Sequence, residues 1–271
     1  MSNQKASKIT PPSSINYEIG LSLVLYNEPE DNFTSYYRSI KEQFKEYFLV
    51  IRVVSNSEHD YLEKYDIIVD QQKENIGYGK GHNKNFKWFN DNGIETMIVS
   101  NTDVRFLTNL KPLLESSGYA INAPLVLNND GSIQHVIRSL PSIFDKIISF
   151  FVGYKHCLKK IPLKSTEVPS ISGCFFVVNM KSYKTMGFQW LFDPRFFLYE
   201  EDTDLCRRLW PSKNILLIPN VRIIHLFSKG SSKSLFLFQV HLQSLKVYFN
   251  KWGIDIKMRN ETKRYIKKLN E

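Results

Sequence analysis

Residues 196–209 read FFLYEEDTDLCRRL, which places Glu200, Glu201, Asp202 and Asp204 within five positions, behind a run of large apolar side chains. Like charges repel and burial penalises each carboxylate, so such crowding needs either a helix that separates them or a chemistry that uses them. On a helix starting near Glu201, the 100° step puts Asp202 on the face of Leu205, Cys206 and Leu209, while Asp204, Arg207 and Arg208 turn away. Asp204 and Arg208 then pair as i, i+4 neighbours, with Asp204 expected at the surface or a hinge. Asp202 faces inward from the first turn. Glu201 beside it raises the proton affinity of the pair, which suits a general base; the alternative is a carboxylate that merely caps the helix.

A second carboxylate, Asp103, lies in VSNTDV two residues after Asn101, so the period of two points both side chains the same way at the end of an apolar strand. There Asp103 can hold a divalent cation that bridges a diphosphate, or it can close an Asx turn. Gly77, Gly79 and Gly81 in NIGYGKGHN precede a helix and would let backbone amides approach a phosphate; the spacing matches neither the P-loop nor the full dinucleotide fingerprint. His225 ends a strand ahead of Lys229, Ser231, Ser232 and Lys233, a setting that fits a metal or diphosphate contact as well as a structural histidine.

The elements that must position these groups alternate. YEIGLSLVLYN, YFLVIRVVSNS, YDIIVD and ETMIVSNTDV read as strands, with helices over NFTSYYRSIKEQF and KNFKWFND between them. The pattern predicts an α/β fold with a mostly parallel, Rossmann-like central sheet flanked by helices, whose ligands gather at the strand C-terminal ends. Tyr26, Asn27, Ser55, Asn56, Asn101 and Asp103 all fall at such ends. Further on, a hairpin turning at Asn129-Asp130-Gly131, a helix over 141–153, a basic loop, an apolar strand in ISGCFFVVNM and a strand pair, ILLIP and VRIIHLF, are expected.

The 271 residues are 42% hydrophobic and 14% aromatic, enough for a packed core, and three cysteines without C-x-x-C spacing argue against a disulfide framework or zinc site. A polar N-terminus over 1–15 and no run of about 18 apolar residues predict a cytoplasmic chain with a disordered tail. The formal charge is +9, and from Ser232 onward nine Lys/Arg face three acids, so two-thirds of the excess lies in the last 40 residues. There it is interleaved with Phe236, Phe238, Leu242, Leu245, Phe249 and Trp252, as in an amphipathic helix lying on anionic lipid or packing on its own domain with a basic outer face. Nucleic acid is disfavoured as a partner, because the charge is confined to one tail and no binding motif accompanies it.

In this order the motifs SLVLYN, VVSNS, NIGYGKGHNKNF, VSNTDV, SGCFFVVNMKSYKTMGFQWLFDPRFFLYEEDTDLCRRL and IPNVRIIHLFSKGSS resemble glycosyltransferase family 2, inverting enzymes of GT-A fold, over residues 17–233. GYGKGHNKN, IRSLPSIFDKIISFFVG and the segment around Ser172-Gly173 are most similar to bacterial O-antigen rhamnosyltransferases. The resemblance implies a glycosyltransferase domain over 16–230 with C-terminal amphipathic helices over 231–271. It implies Asp202 as the base that deprotonates an acceptor hydroxyl, with Glu201 beside it, and Asp103 with His225 as ligands of Mg²⁺ or Mn²⁺. Tyr26, Asn27, Asn56, Asn75, Gly77, Asn83, Asn101, Lys229 and Ser231 fall at nucleotide-sugar positions. The implied donor is dTDP-L-rhamnose and the implied acceptor a polyprenyl-diphosphate-linked saccharide at the inner face of the plasma membrane. UDP-galactofuranose or UDP-glucose as donor, or a non-catalytic basic binding module, are the alternatives.

Overall fold

The computed structural model describes residues 18–146, 156–226 and 234–271. The tail over 1–15, most of the helix expected over 141–153, and Lys229 and Ser231 lie outside the described residues. The sheet begins with strand β1 (Glu18–Leu25), helix α1 (Glu30–Gln43), β2 (Phe48–Ser55), β3 (Ile68–Gln71), α2 (Tyr78–Asp91) and β4 (Thr96–Ser100). β3, β2, β1 and β4 lie side by side in parallel, so Leu25, Ser55 and Ser100 end at one edge and the polar residues that follow gather there.

Next come β5 (Val104–Phe106), α3 (Lys111–Glu115), β6 (Ile121–Leu127), β7 (Thr166–Glu167), β8 (Phe175–Asn179) and α4 (Met180–Thr185). Then follow α5 (Glu201–Leu209), β9 (Ile215–His225), α6 (Leu235–Trp252) and α7 (Ile256–Asn270). The sheet order is β3-β2-β1-β4-β8-β6-β9-β5, with β7 paired to β9. Six of its nine strands among the described residues run one way, and β5, β7 and β8 run against them.

Both faces of the sheet are covered. On β8, Phe176 and Val178 face the core of α2, α5 and α7 through Phe86, Phe89, Leu205 and Ile266, while Phe175 and Val177 face Phe33 and Ile40 of α1. That alternation is the period of two applied to a strand buried on both sides, which is why β8 reads as a continuous apolar run.

Two expectations need correction. ILLIP and VRIIHLF form one strand, β9, which crosses Pro219 through a register shift against β6 between Pro124 and Leu125; the proline is accommodated where the ladder is irregular. The turn at Asn129-Asp130-Gly131 is present, but its return arm makes only an isolated bridge, Leu127 to Ile133, flanked by the Ser132 and Gln134 backbone bonds, and extends into no strand.

Candidate active site

β8 enters the sheet antiparallel to β4, with Phe175 opposite Ser100, which brings Ser172-Gly173-Cys174 against the residues leaving β4. The Asn101 amide donates to the Cys174 carbonyl at 2.8 Å. One residue earlier, the Gly173 amide donates to Asp202 Oδ2 at 3.1 Å, and the Gly173 carbonyl accepts from the Tyr78 hydroxyl at 2.7 Å. Asp202 Oδ1 accepts from the Thr203 amide at 2.6 Å. The helix N-cap is Glu200, so Asp202 sits inside the first turn, half-buried at the cleft.

Asp103 precedes β5, whose Val104 lies opposite His225 of β9, and this register sets the Asp103 carboxylate 3.4 Å from His225 Nε2. His225 Nδ1 meets Gln134 Oε1 at 3.0 Å, which aims Nε2 at Asp103. Burial alone would lower the His225 pKa, but Cys174 and Asp103 outweigh it and lift it to about 10. Asp103 Oδ1 is buried and has no hydrogen-bond partner among the described residues. The orphaned carboxylate oxygen fits a divalent cation, and the imidazole, protonated while it serves Asp103, would join as a second ligand only by giving up its Nε2 proton to the incoming ion. No group of three or more His, Cys, Asp and Glu arranged to hold a metal occurs among the described residues, so such an ion would take its other ligands from substrate or water. Sequence reading missed Gln134 and also Glu28. Burial, and secondarily the charge of Asp103, raise the Glu28 pKa while Thr102 opposes the shift.

Tyr78 lies near enough to both Asp202 and Asp103 for the charge of each to act on it. Burial drives the Tyr78 pKa well above its ordinary value, and Glu201, Cys174, Asp202 and Asp103 all add to the rise. The phenol therefore stays protonated and holds the Gly173 carbonyl.

The four crowded carboxylates are handled in four different ways. Glu200 is buried and pairs with Lys146 at 2.5 Å and His241 at 3.1 Å; burial would raise its pKa, but these partners hold it well below the carboxylate range. Glu201 is driven well above that range by burial and then by the charges of Asp202 and Glu200, so the proton affinity concentrates on Glu201. Asp202 faces the cleft. Asp204 is fully buried, against the surface position expected for it: Arg208 at 3.0 Å, Lys251 at 2.7 Å and the Trp252 indole at 2.8 Å surround it. The i, i+4 pair does form, but α6 covers it. Arg207 is likewise buried, against Tyr248 and Asp255.

The expected nucleotide positions divide. Asn27, at φ 52°, donates its amide to Ser57 beside exposed Tyr26. Asn56 Oδ1 accepts from the Ile76 amide, and Asn75 Oδ1 from the Gly77 amide, which together shape the loop before α2. Gly77 has φ 87°, and a Cβ there would lie 2.3 Å from the Phe197 carbonyl oxygen, so the turn requires glycine. Asn83 points elsewhere: its amide clamps the Phe192 backbone at 2.6 and 2.9 Å, tying α2 to the aromatic segment. A buried network of Ser22, His82, Asn85, Arg52 and Asp70 underlies α2, and burial lowers the His82 pKa to about 3.

No protein-family profile matches the chain. Rhamnosyltransferase WbbL of Escherichia coli (strain K12) is 26% identical, over 72% of this chain and 89% of that protein. The crystal structure of GalNAc-T7 with UDP, GalNAc and Mn²⁺ superposes with a TM-score of 0.60 at 14% identity, over 87% of this chain; the chain spans about half, 48%, of that one. The mannosyltransferase PcManGT from Pyrobaculum calidifontis with GDP-Man and Mn²⁺ superposes at 0.54 and 12% identity, covering 97% of this chain and 73% of that one. TarS 1–349 of S. aureus does so at 0.52 and 14%, covering 92% and 69%. With its sheet order and these likenesses, the chain has the GT-A fold of these glycosyltransferases and is a homologue, at 26% identity, of a bacterial rhamnosyltransferase.

Proposed function

We propose that the protein transfers L-rhamnose from dTDP-L-rhamnose, with inversion, to a saccharide carried on a polyprenyl diphosphate in bacterial surface-polysaccharide synthesis. The observation that carries this reading is the half-buried Asp202 carboxylate held on the Gly173 amide, with the Asp103–His225 pair joined to the same strand end through the Asn101–Cys174 bond. The acceptor hydroxyl gives its proton to Asp202 as its oxygen bonds to the anomeric carbon, and the bond from that carbon to the diphosphate breaks with the electron pair leaving on phosphate. Glu201, protonated beside Asp202, adds no second negative charge to the cleft. Asp103 Oδ1 and His225 Nε2 would hold Mg²⁺ or Mn²⁺, with Asn101 adjacent; when bound, the ion neutralises charge on the departing diphosphate. Tyr26, Asn27, Asn56, Asn75 and Gly77 would line the nucleotide side, and Lys229 and Ser231 would meet the diphosphate.

The reaction would take place on the cytoplasmic face of an anionic membrane. Among the described residues no helix is long and apolar enough to cross a bilayer. Leu235, Phe236 and Leu242 are nonetheless exposed on the outer face of α6, Leu235 at 84% and Phe236 at 64%, with Lys246 one turn on and no acid in the helix. The test is turnover of a panel of nucleotide sugars with a polyprenyl-diphosphate saccharide: dTDP-rhamnose is expected to be consumed. Consumption of UDP-galactofuranose or UDP-glucose in its place overturns the donor assignment.

A further inference from the structure

A cleft of about 640 Å³ lies away from Asp202 and Asp103, between α7 and residues 156–159. One stripe of α7, at i, i+3, i+4 and i+7, supplies Asn260, Lys263, Arg264 and Lys267; Lys159 faces them, and no acidic side chain is among the lining residues. Lys159, Lys263 and Arg264 form no ion pair among the described residues, and Lys267 reaches only the terminal Glu271, at 3.9 Å. Four cations crowded in a concave wall against one exposed carboxylate, Glu271, focus the field on whatever enters.

The cleft is built rather than incidental. Asn270 accepts from the Lys159 amide at 2.7 Å and donates to the Cys157 carbonyl at 3.0 Å, buckling the segment onto the end of α7. Thr262 accepts from the Leu140 amide at 3.1 Å, and Ile266 is buried in the main core, so the stripe is fixed against the domain. Like charges held together at a cost in repulsion favour an anion that satisfies several of them at once.

We propose that this cleft binds a phosphate-bearing anion at a site separate from the catalytic cleft. Lys263, Arg264 and Lys267 grip the phosphate oxygens from one side, Lys159 from the other, and Asn260 donates from the rim. The ligand class is a phosphomonoester or diphosphate, either free in solution or exposed as a lipid headgroup. The proposal stands independently of the donor assignment.

The experiment is calorimetric titration of the full chain with inorganic pyrophosphate, in parallel with flotation on phosphatidylcholine vesicles with or without 20% phosphatidic acid. The comparison is between Lys263→Gln/Arg264→Gln/Lys267→Gln and a control carrying two neutralised exposed lysines outside the cleft, Lys181→Gln/Lys184→Gln on α4. The cleft variant is expected to weaken pyrophosphate binding by at least about 30-fold, as loss of several charge-assisted contacts would, with the control within about two-fold. Loss of pyrophosphate binding identifies a free phosphate ligand, and loss confined to phosphatidic acid vesicles identifies a lipid headgroup. Equal losses in the control, or no difference between wild type and cleft variant with either probe, overturn the proposal. Circular dichroism melting of both variants separates loss of the site from loss of the fold.

Discussion

The regions around Asp103 and around Asp202 are held by different forces. On the Asp103 side, turns and backbone amides do the positioning: Asn27 on Ser57, Asn56 on Ile76, Asn75 on Gly77, with exposed Tyr26 at the lip. On the Asp202 side, buried ion pairs and hydrogen bonds do it, and α6 supplies a partner once per turn through His241, Ser244, Tyr248 and Lys251. The contrast shows in two aspartates. Asp103 keeps a buried oxygen with no partner, while Asp204 has both oxygens satisfied. A group that must accept a ligand is left incomplete, and a group that must hold a backbone in place is saturated. The left-handed pair Tyr199 and Glu200, at φ 69° and 64°, marks where that hold is applied, directly ahead of the helix that begins at Glu201 and carries Asp202.

The largest effect should come from the point where the two sides meet. Asp202→Asn keeps the size and the Gly173 contact but cannot take a proton, and turnover is expected to fall by about 10²–10⁴-fold with little change in the KM of the donor. Wild-type turnover in that variant would remove Asp202 as the base. Next, Asp103→Asn should cost on the order of 10²-fold in kcat/KM, in part recoverable at high Mn²⁺, and Gln134→Leu about 10–100-fold by releasing the His225 ring. Equal losses in these variants when metal is varied would show that the open oxygen of Asp103 is structural, and the comparison would fail.

Stability separates the sides further. Glu200→Gln leaves the buried Lys146 charge uncompensated and is expected to destabilise by about 3–5 kcal/mol. The acid limb follows from the sign of each shift. Glu200 is depressed in the fold, so its contribution is complete above the ordinary carboxylate value and is lost as pH falls through the folded one. Glu201 is raised in the fold, so the unfolded chain releases its proton first, and the contribution fades as pH rises through the window above about 4.5. Melting temperature against pH should thus flatten at its acid end in Glu200→Gln, and stay higher at neutral pH in Glu201→Gln than in wild type. Parallel curves for the two variants would mean that neighbouring carboxylates share one environment, contrary to the geometry.

How much of this could be read beforehand follows from the range of the interactions. The strand ends carrying Tyr26, Asn27, Ser55, Asn56 and Asn101 were legible because hydrophobic period and polar punctuation are local. The inward direction of Asp202 and the Asp204–Arg208 pair follow from helix geometry alone. The burial of Asp204 and Arg207 does not, because their covers, Lys251, Trp252 and Tyr248, lie 41 to 48 residues on, and a charged helix face looks solvated until a partner is placed on it. Gln134 and Glu28 were missed for the same reason: each acts through a residue brought near only by the sheet. Asn83 carries a motif position but, in the fold, binds a backbone 109 residues away.

The smallest expected effect concerns α6, which has two faces. The sequence grouped Phe236, Phe238, Leu242, Leu245, Phe249 and Trp252 as one apolar set, but the fold turns Leu245 inward and leaves Leu235, Phe236 and Leu242 outward. If the outer face meets lipid, Leu235→Glu/Phe236→Glu should lower binding to vesicles containing phosphatidylglycerol by about ten-fold, since two apolar side chains are lost from the interface and two repelling charges gained. Melting temperature and transfer to a short water-soluble acceptor should hold, because the inner stripe that grips Leu198, Glu200 and Asp204 is untouched. A fall in soluble turnover without a change in vesicle binding would instead mean that the outer face supports the base's loop, and the division of labour across this helix would have to be redrawn.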